Sequence, residues 1–210
     1  VGALPHALHA LGHEVAVVLP RYASIPLDHA QRVWQNQMIA VGPHRFSADI
    51  FAVSDRGVTV YFADIPPLFN RRAGLYGHPD DHLRFAAFCH AALAVARFLF
   101  TPDVLHLHDW QASLCASYLR TRYDMDPVLR DLKIVFTIHN LEYNGRFGPN
   151  IWPDLGLPNW LFQPNLLEYF GDVALMKGAI VFADAITTVS PRYAAEIQTP
   201  EFGFGLDGLL

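Results

Sequence analysis

From residue 104 onward the sequence alternates short apolar runs with helical stretches, and this alternation restricts the possible folds more than any other feature. Residues 104–107 read as a strand, 111–122 as a helix and 134–138 as a second strand. A long loop over 139–157, punctuated by Gly145, Gly148, Pro149 and Pro153, leads to helical segments over roughly 160–183. Residues 185–189 form a last strand, and Ser190-Pro191 is a helix start, with serine as cap and proline at the first helical position. Strands that alternate with helices pair in parallel, because each crossover must return the chain to the same end of the sheet. The expected class is therefore α/β, an open, mostly parallel Rossmann-like sheet with helices on both faces.

The first hundred residues depart from that rhythm. Leu4, Leu8 and Leu11 recur at helical spacing, and Gly12 supplies the stop. Residues 15–19 form a short apolar run bounded by Pro20, as a buried strand requires. Residues 33–41, 46–53 and 58–62 then read as strands with no helix between them, and Asp55-Arg56-Gly57 marks a hairpin turn. This predicts a small antiparallel meander beside the parallel sheet. Residues 70–79 are loop-like, and a helix starts near Asp80, where Asp80 and Asp81 favour its positive end. The apolar run 85–100 is interrupted by His90 and Arg97 and falls short of the roughly 20 residues of a membrane span. It is expected to be a buried helix. The chain opens on a helix rather than on the buried strand that normally starts such a domain, and it closes on a glycine-rich loop at 203–210. Both ends are expected to be cut.

Composition narrows the function. Of 210 residues, 52% are hydrophobic and 17% charged, which supplies a core and argues against disorder. The net charge of −5 comes without a basic stripe, so nucleic acid is excluded as a partner. Cys89 and Cys115 sit in apolar surroundings and read as reduced, buried thiols of a cytoplasmic protein.

In open parallel sheets, ligands bind outside the carboxyl ends of the strands. Those ends carry His108-Asp109-Trp110, His139-Asn140 and Ser190, with Asp64 at the end of an earlier strand. Aspartate accepts from two hydroxyls, histidine donates or accepts, asparagine does both, and tryptophan offers a flat apolar face to a sugar ring. The combination fits carbohydrate recognition. The loop after Ile138 adds Tyr143, Phe147 and Trp152, and its length points to a function. For Phe147 and Trp152 a satellite core beneath the loop is an equal reading.

Two other motifs carry less weight. Gly203-Phe204-Gly205-Leu206-Asp207-Gly208 matches G-x-G-x-x-G in letters, but it follows a helix, whereas the dinucleotide fingerprint needs strand, turn and helix in that order. It is expected to be a flexible loop. His106 and His108 alternate onto one strand face, and His139 completes three possible zinc ligands, which gives a metal-dependent hydrolase as an alternative. His106 lies two residues back inside the sheet, where a hydrogen-bonded core histidine is the commoner role.

At these residues the sequence resembles the N-terminal domain of the bacterial glycogen synthase and plant starch synthase family. The likeness runs through Val1-Gly-Ala-Leu-Pro5, Leu19-Pro-Arg-Tyr22, the run from Asp103 to Ala112, Phe136-Thr-Ile-His-Asn140, Thr187-Thr-Val-Ser-Pro191, Tyr193, Glu196-Ile197 and Thr199-Pro-Glu-Phe-Gly203 to Leu210. The resemblance implies a GT-B glycosyltransferase, with two open α/β domains facing each other across a cleft. It implies retaining transfer of glucose from ADP-glucose to the non-reducing end of an α-1,4-glucan, glycogen or maltooligosaccharide, with no metal and no cofactor. On this likeness Asp109 and His139 are catalytic, and Tyr76, Trp110, Asn140 and Tyr143 are substrate-binding. The domain spans residues 1–210. The family's Lys-x-Gly-Gly-Leu loop falls before Val1, and the C-terminal domain that carries most nucleotide-sugar contacts falls after Leu210. The chain would supply the acceptor-side half of a cleft in a bacterial cytoplasmic enzyme, with its own C-terminal domain as partner and no membrane. Alone, it would be inactive or a carbohydrate-binding fragment without catalysis. Leu75-Tyr76-Gly77 departs from the family's Asn-Pro-Tyr.

Overall fold

The computed structural model describes residues 2–71 and 74–210, and the chain divides into two compact units, Val1–Phe100 and Thr101–Leu210.

The first unit is built on a four-stranded sheet. Helix α1 (Leu4–Ala10) ends ahead of Gly12, whose φ of 92° closes it as expected. Strands β1 (Ala16–Pro20), β2 (Gln31–Val41), β3 (His44–Asp55) and β4 (Val58–Asp64) take the order β1-β4-β3-β2. β1 runs parallel to β4, while β2, β3 and β4 form the antiparallel meander. The β3–β4 turn is Arg56-Gly57, with φ of 47° and 86°. Two left-handed residues match the right-handed twist of the flanking strands, which is why Asx/Gly-type pairs mark tight hairpins. A short helix, α2 (Pro66–Phe69), follows β4 and was not expected from the sequence. The loop expected over 70–79 includes residues 72 and 73, which lie outside the described residues.

Helix α3 (Asp81–Val95) continues through a π-turn over Ala96–Phe100. The two form 20 continuous residues, long and apolar enough to cross a membrane by length and composition alone. The sequence reading set the run too short because it began at Phe85. Burial does bear out the core assignment, since 67% of the helix's most apolar window is covered by the fold. Phe85, Ala86, Ala87, Cys89, Ala91 and Leu93 are all buried, and α3 packs on β1, β2 and β4. A helix covered on most sides needs no polar stripe.

The second unit holds the regular alternation. Strands β5 (Val104–His108) and β6 (Lys133–Ile138) flank helix α4 (Asp109–Leu119) in sequence. The 139–157 segment is ordered by a short strand, β7 (Arg146–Phe147), a 3-10 turn at Pro149–Ile151 and helix α5 (Trp152–Leu155). Helical structure over 160–183 is only partly borne out. A 3-10 turn at Asn159–Leu161 gives way to a hairpin of β8 (Glu168–Tyr169) and β9 (Asp172–Ala174), and β9 also pairs with β7. Only α6 (Leu175–Phe182) is a regular helix there. The break is made by Phe170 and Gly171, with φ of 51° and 86°, and Glu168 Oε1 accepts the Gly171 N–H at 2.6 Å. The Lys177 ammonium donates to the carbonyls of Pro164 and Glu168, two acceptors the broken segment leaves without helical partners.

β10 (Ala185–Thr188) and α7 (Pro191–Glu196) complete the unit, and the Ser190 side chain accepts the Tyr193 N–H at 3.1 Å, as its capping position predicts. β10, β6 and β5 form a fully parallel sheet in that order. Helix α4 lies against α6, and Gly178 permits the approach, because a Cβ there would stand 2.4 Å from Ser117 Oγ. The glycine-rich end is not a loose loop. Gly203 N–H donates to Thr199 O at 2.7 Å, the Tyr169 hydroxyl donates to Phe204 O, and a 3-10 turn covers Asp207–Leu209.

Candidate functional site

The register of the parallel sheet decides which side chains meet. His108 pairs with Thr137, and Thr188 with Ile138, so β5, β6 and β10 end nearly level. Their carboxyl ends deliver Asp109, His139 and Ser190 to one edge.

Asp109 is both the first residue of α4 and a backbone outlier, with φ of 55°. Aspartate tolerates the left-handed region better than most side chains, yet the conformation costs energy unless a contact holds it. The contact is present. Asp109 Oδ1 accepts the backbone N–H of His139 at 2.8 Å, tying the tip of β5 to the tip of β6.

Three histidines cluster behind this tie. The rings of His106 and His108, alternate residues on one strand face, lie 4.3 Å apart and 27° from parallel. His108 Nδ1 is 3.1 Å from His139 Nε2, so one ring donates and the other accepts. His106 Nε2 meets Thr137 Oγ1 at 2.6 Å, and Thr137 Oγ1 meets Thr187 Oγ1 at 2.7 Å. His106 is thus the hydrogen-bonded core histidine that its place in the sheet suggests. Burial, reinforced by the neighbouring His106 and His139, pushes the His108 imidazole down to about 4. Burial, with His139 beside it, also lowers His106. Both rings are neutral near pH 7. Among the described residues no group of three or more His, Cys, Asp or Glu side chains is placed to hold a metal ion, and the turn of His106 onto Thr137 is at odds with the three-histidine hydrolase alternative.

The remaining candidates separate. Trp110 does not present a free face to a sugar ring. It is 8% exposed, packs edge-on against Phe147 at 5.8 Å, and lies under Gly145, where a Cβ would come within 2.8 Å of the indole. Its place is beneath the 139–157 segment, which it holds over the sheet tip. Trp152 is likewise buried, against Phe162, with its indole N–H donating to Asn159 Oδ1 at 3.2 Å. Asn140 is exposed, and its side-chain oxygen accepts the Glu142 N–H at 3.1 Å, forming a local turn. Tyr143 is 65% exposed. Tyr76 belongs to the first unit and is 62% exposed. Asp64, also in that unit, ends β4, and burial holds its carboxyl above the usual range although Arg21 pulls the other way.

Sequence reasoning missed Thr137, Thr187 and the Tyr193 hydroxyl, which accepts the Leu141 N–H at 3.0 Å. The threonines stand in the runs that carry the family likeness, but their only sign of a site role was polarity within otherwise apolar strands.

Fold and site together define an α/β domain whose polar, histidine-bearing edge lies at the carboxyl tips of a parallel sheet, the place where ligands of open α/β sheets bind. Residues 1–210 match the family described as "Starch synthase catalytic domain", and the chain belongs to that family. It is 44% identical over 216 residues to the glycogen synthase of Koribacter versatilis (strain Ellin345), an alignment that covers 100% of this chain and 44% of that protein. To the glycogen synthase of Anoxybacillus flavithermus (strain DSM 21510 / WK1) it is 43% identical over 213 residues, again 100% of this chain and 44% of the relative. The structure is similar to the catalytic domain of Starch Synthase IV from Arabidopsis thaliana bound to ADP and acarbose. The TM-score is 0.89 at 32% identity, over 98% of this chain and 44% of that one. The chain therefore spans less than half the length of the relatives it matches.

Proposed function

We propose that this chain forms the acceptor-side half of the active-site cleft of a retaining, metal-independent glucosyltransferase that moves glucose from ADP-glucose to the non-reducing end of an α-1,4-glucan. Family membership supports glucosyl transfer, and the ADP and acarbose in the Arabidopsis structure agree with a nucleotide-sugar donor and a saccharide site. The observation that carries the reading for this chain is the Asp109–His139 tie at the strand tips. It holds the Asp109 carboxylate against the His139 backbone at the sheet tip, and fixed polar groups of this kind support a reading of positional and electrostatic catalysis.

As the diphosphate leaves, positive charge develops on the glucose ring. His139 at the β6 tip hydrogen-bonds a sugar hydroxyl beside the reacting carbon. Asp109 holds His139 through one oxygen and keeps the other carboxylate oxygen for a sugar or acceptor hydroxyl. Asn140 and Tyr143 flank the site from the loop, and Tyr76 contacts the glucan. The nucleotide and most of the donor are held by the C-terminal domain of the complete enzyme, so the 210-residue chain alone does not catalyse. In the complete enzyme, Asp109→Asn lowers glucose incorporation on the order of 10²-fold or more, as for other lost preorganised polar contacts. Incorporation near the wild-type rate would remove Asp109 from the chemistry. Calorimetric titration of maltooligosaccharides into the 210-residue chain reads the acceptor side by itself, and no heat of binding there would count against it.

A further inference from the structure

The first unit contains a buried ion pair that no role in folding α3 fully explains. Arg84 is 0% exposed and Asp81 5%, and their side chains are joined directly, one helical turn apart. Burying two charges is expensive, and a buried pair is tolerated only when its remaining donors and acceptors are also satisfied. Here the surplus goes to the 75–78 loop and, by one bond, to α2. Asp81 Oδ2 accepts the N–H of Gly77 at 2.6 Å and of His78 at 3.1 Å. Arg84 Nη2 donates to Leu75 O at 3.3 Å, and its Nε to Leu68 O at 2.7 Å. The guanidinium carbon also lies 5.0 Å from the Phe69 ring centroid and 5.5 Å from that of Phe85, which fixes its plane. The backbone is therefore pinned on both sides of Tyr76, by the carbonyl before it and the amide after it. Tyr76 itself stays exposed.

We infer that Asp81 and Arg84 are positioning residues for glucan binding, holding the 75–78 loop so that the Tyr76 ring is presented to the acceptor without an ordering step. This rests on the reading of Tyr76 as an acceptor-side residue. A bound ring that must first be ordered costs about 0.5–1.5 kcal/mol, or roughly 2- to 10-fold in affinity.

The test is steady-state kinetics of the complete enzyme with glucan and nucleotide sugar varied separately. Asp81→Ala removes the acceptor for both loop amides. Gly77→Ala leaves the ion pair intact and strains only the loop, because Gly77 has φ of 93° and a Cβ there meets nothing within 4 Å. Both variants are expected to raise the glucan KM by about 2- to 10-fold, with kcat at saturating glucan and the donor KM unchanged. Asp81→Asn, which keeps an oxygen for the two amides, restores most of the glucan affinity. If Asp81→Ala does not fold, Gly77→Ala decides alone. A lower melting temperature with an unmoved glucan KM in Gly77→Ala, while Tyr76→Ala raises that KM, overturns the positioning role and leaves the Tyr76 reading standing. An unmoved KM in Tyr76→Ala overturns both.

Discussion

Asp109 combines a strained backbone with a charge-assisted hydrogen bond, and substitutions at that one position separate the two. The Oδ1 to His139 N–H bond, at 2.8 Å, joins the tips of β5 and β6. A hydrogen bond to a charged group contributes about 1.5–3 kcal/mol net, and the partial exposure of Asp109 puts it toward the lower end. The φ of 55° adds a second cost for any side chain less tolerant than Asp, Asn or Gly, about 1 kcal/mol for alanine. Asp109→Asn keeps an acceptor oxygen and the tolerance for positive φ, so it loses only about 1 kcal/mol of stability. Asp109→Ala loses the bond and keeps the strain, for about 2–4 kcal/mol in all. Asp109→Gly loses the bond, relieves the strain and falls between them. Urea midpoints should rank wild type, Asn, Gly, Ala in falling stability, whereas glucose incorporation in the complete enzyme should already collapse at Asn. That crossing of two orders is the signature of a residue that both ties the strand tips and takes part in transfer. Alanine as stable as asparagine would refute the tie.

Other predictions follow from the same geometry. His108 is held down to about 4 from 6.5 by burial, so below pH 6.5 the unfolded chain binds a proton that the folded chain refuses. Stability should therefore fall as pH drops from about 6.5 toward 4, and His108→Asn should flatten that loss in urea titrations at stepped pH. A profile as steep in the variant would exclude His108 as its source. Gly145→Ala drives a Cβ to 2.8 Å from the Trp110 indole at a φ of 69° and should cost about 1–3 kcal/mol; a melting temperature within a degree of wild type would contradict the packing. Extensive chelation should leave glucose incorporation by the complete enzyme unchanged, and stoichiometric metal in the purified enzyme with loss of activity on chelation would revive the hydrolase alternative.

Much of this was legible in the sequence because local chemistry and global fold agree there. Gly57 carries its turn through the freedom of a residue without a Cβ and Ser190-Pro191 its cap in its own side chains, and the 104–138 alternation reports a parallel crossover directly. The failures are at positions decided from a distance. Helical structure expected through 160–183 gave way to strands of two and three residues, too short to show a period of two, and only Gly171 marked the turn. Trp110 looked like a ligand face because it follows a strand end, but Gly145, far along the chain, closes over it. Asp81 looked like a charge serving the helix dipole. Its partner lies three residues on, yet nothing local says that the pair is buried or that it reaches back to Gly77.

Under the proposed glucosyl transfer, the protonation of the His106, His108 and His139 cluster bears on the reaction. A reaction that builds positive charge on a sugar ring is opposed by any full positive charge fixed nearby, since Coulomb repulsion is strongest where water is excluded. Histidines gathered at a sheet tip would be a poor choice if they were charged. Burial, with His139 beside both rings, keeps His106 and His108 neutral near pH 7, so these two contribute hydrogen-bonding dipoles without a cation. With His108 Nδ1 3.1 Å from His139 Nε2, one ring donates and the other accepts, so the tautomer of His108 sets the role of His139 Nε2 in that bond. Asp109 ties the backbone of His139 and His108 ties its ring.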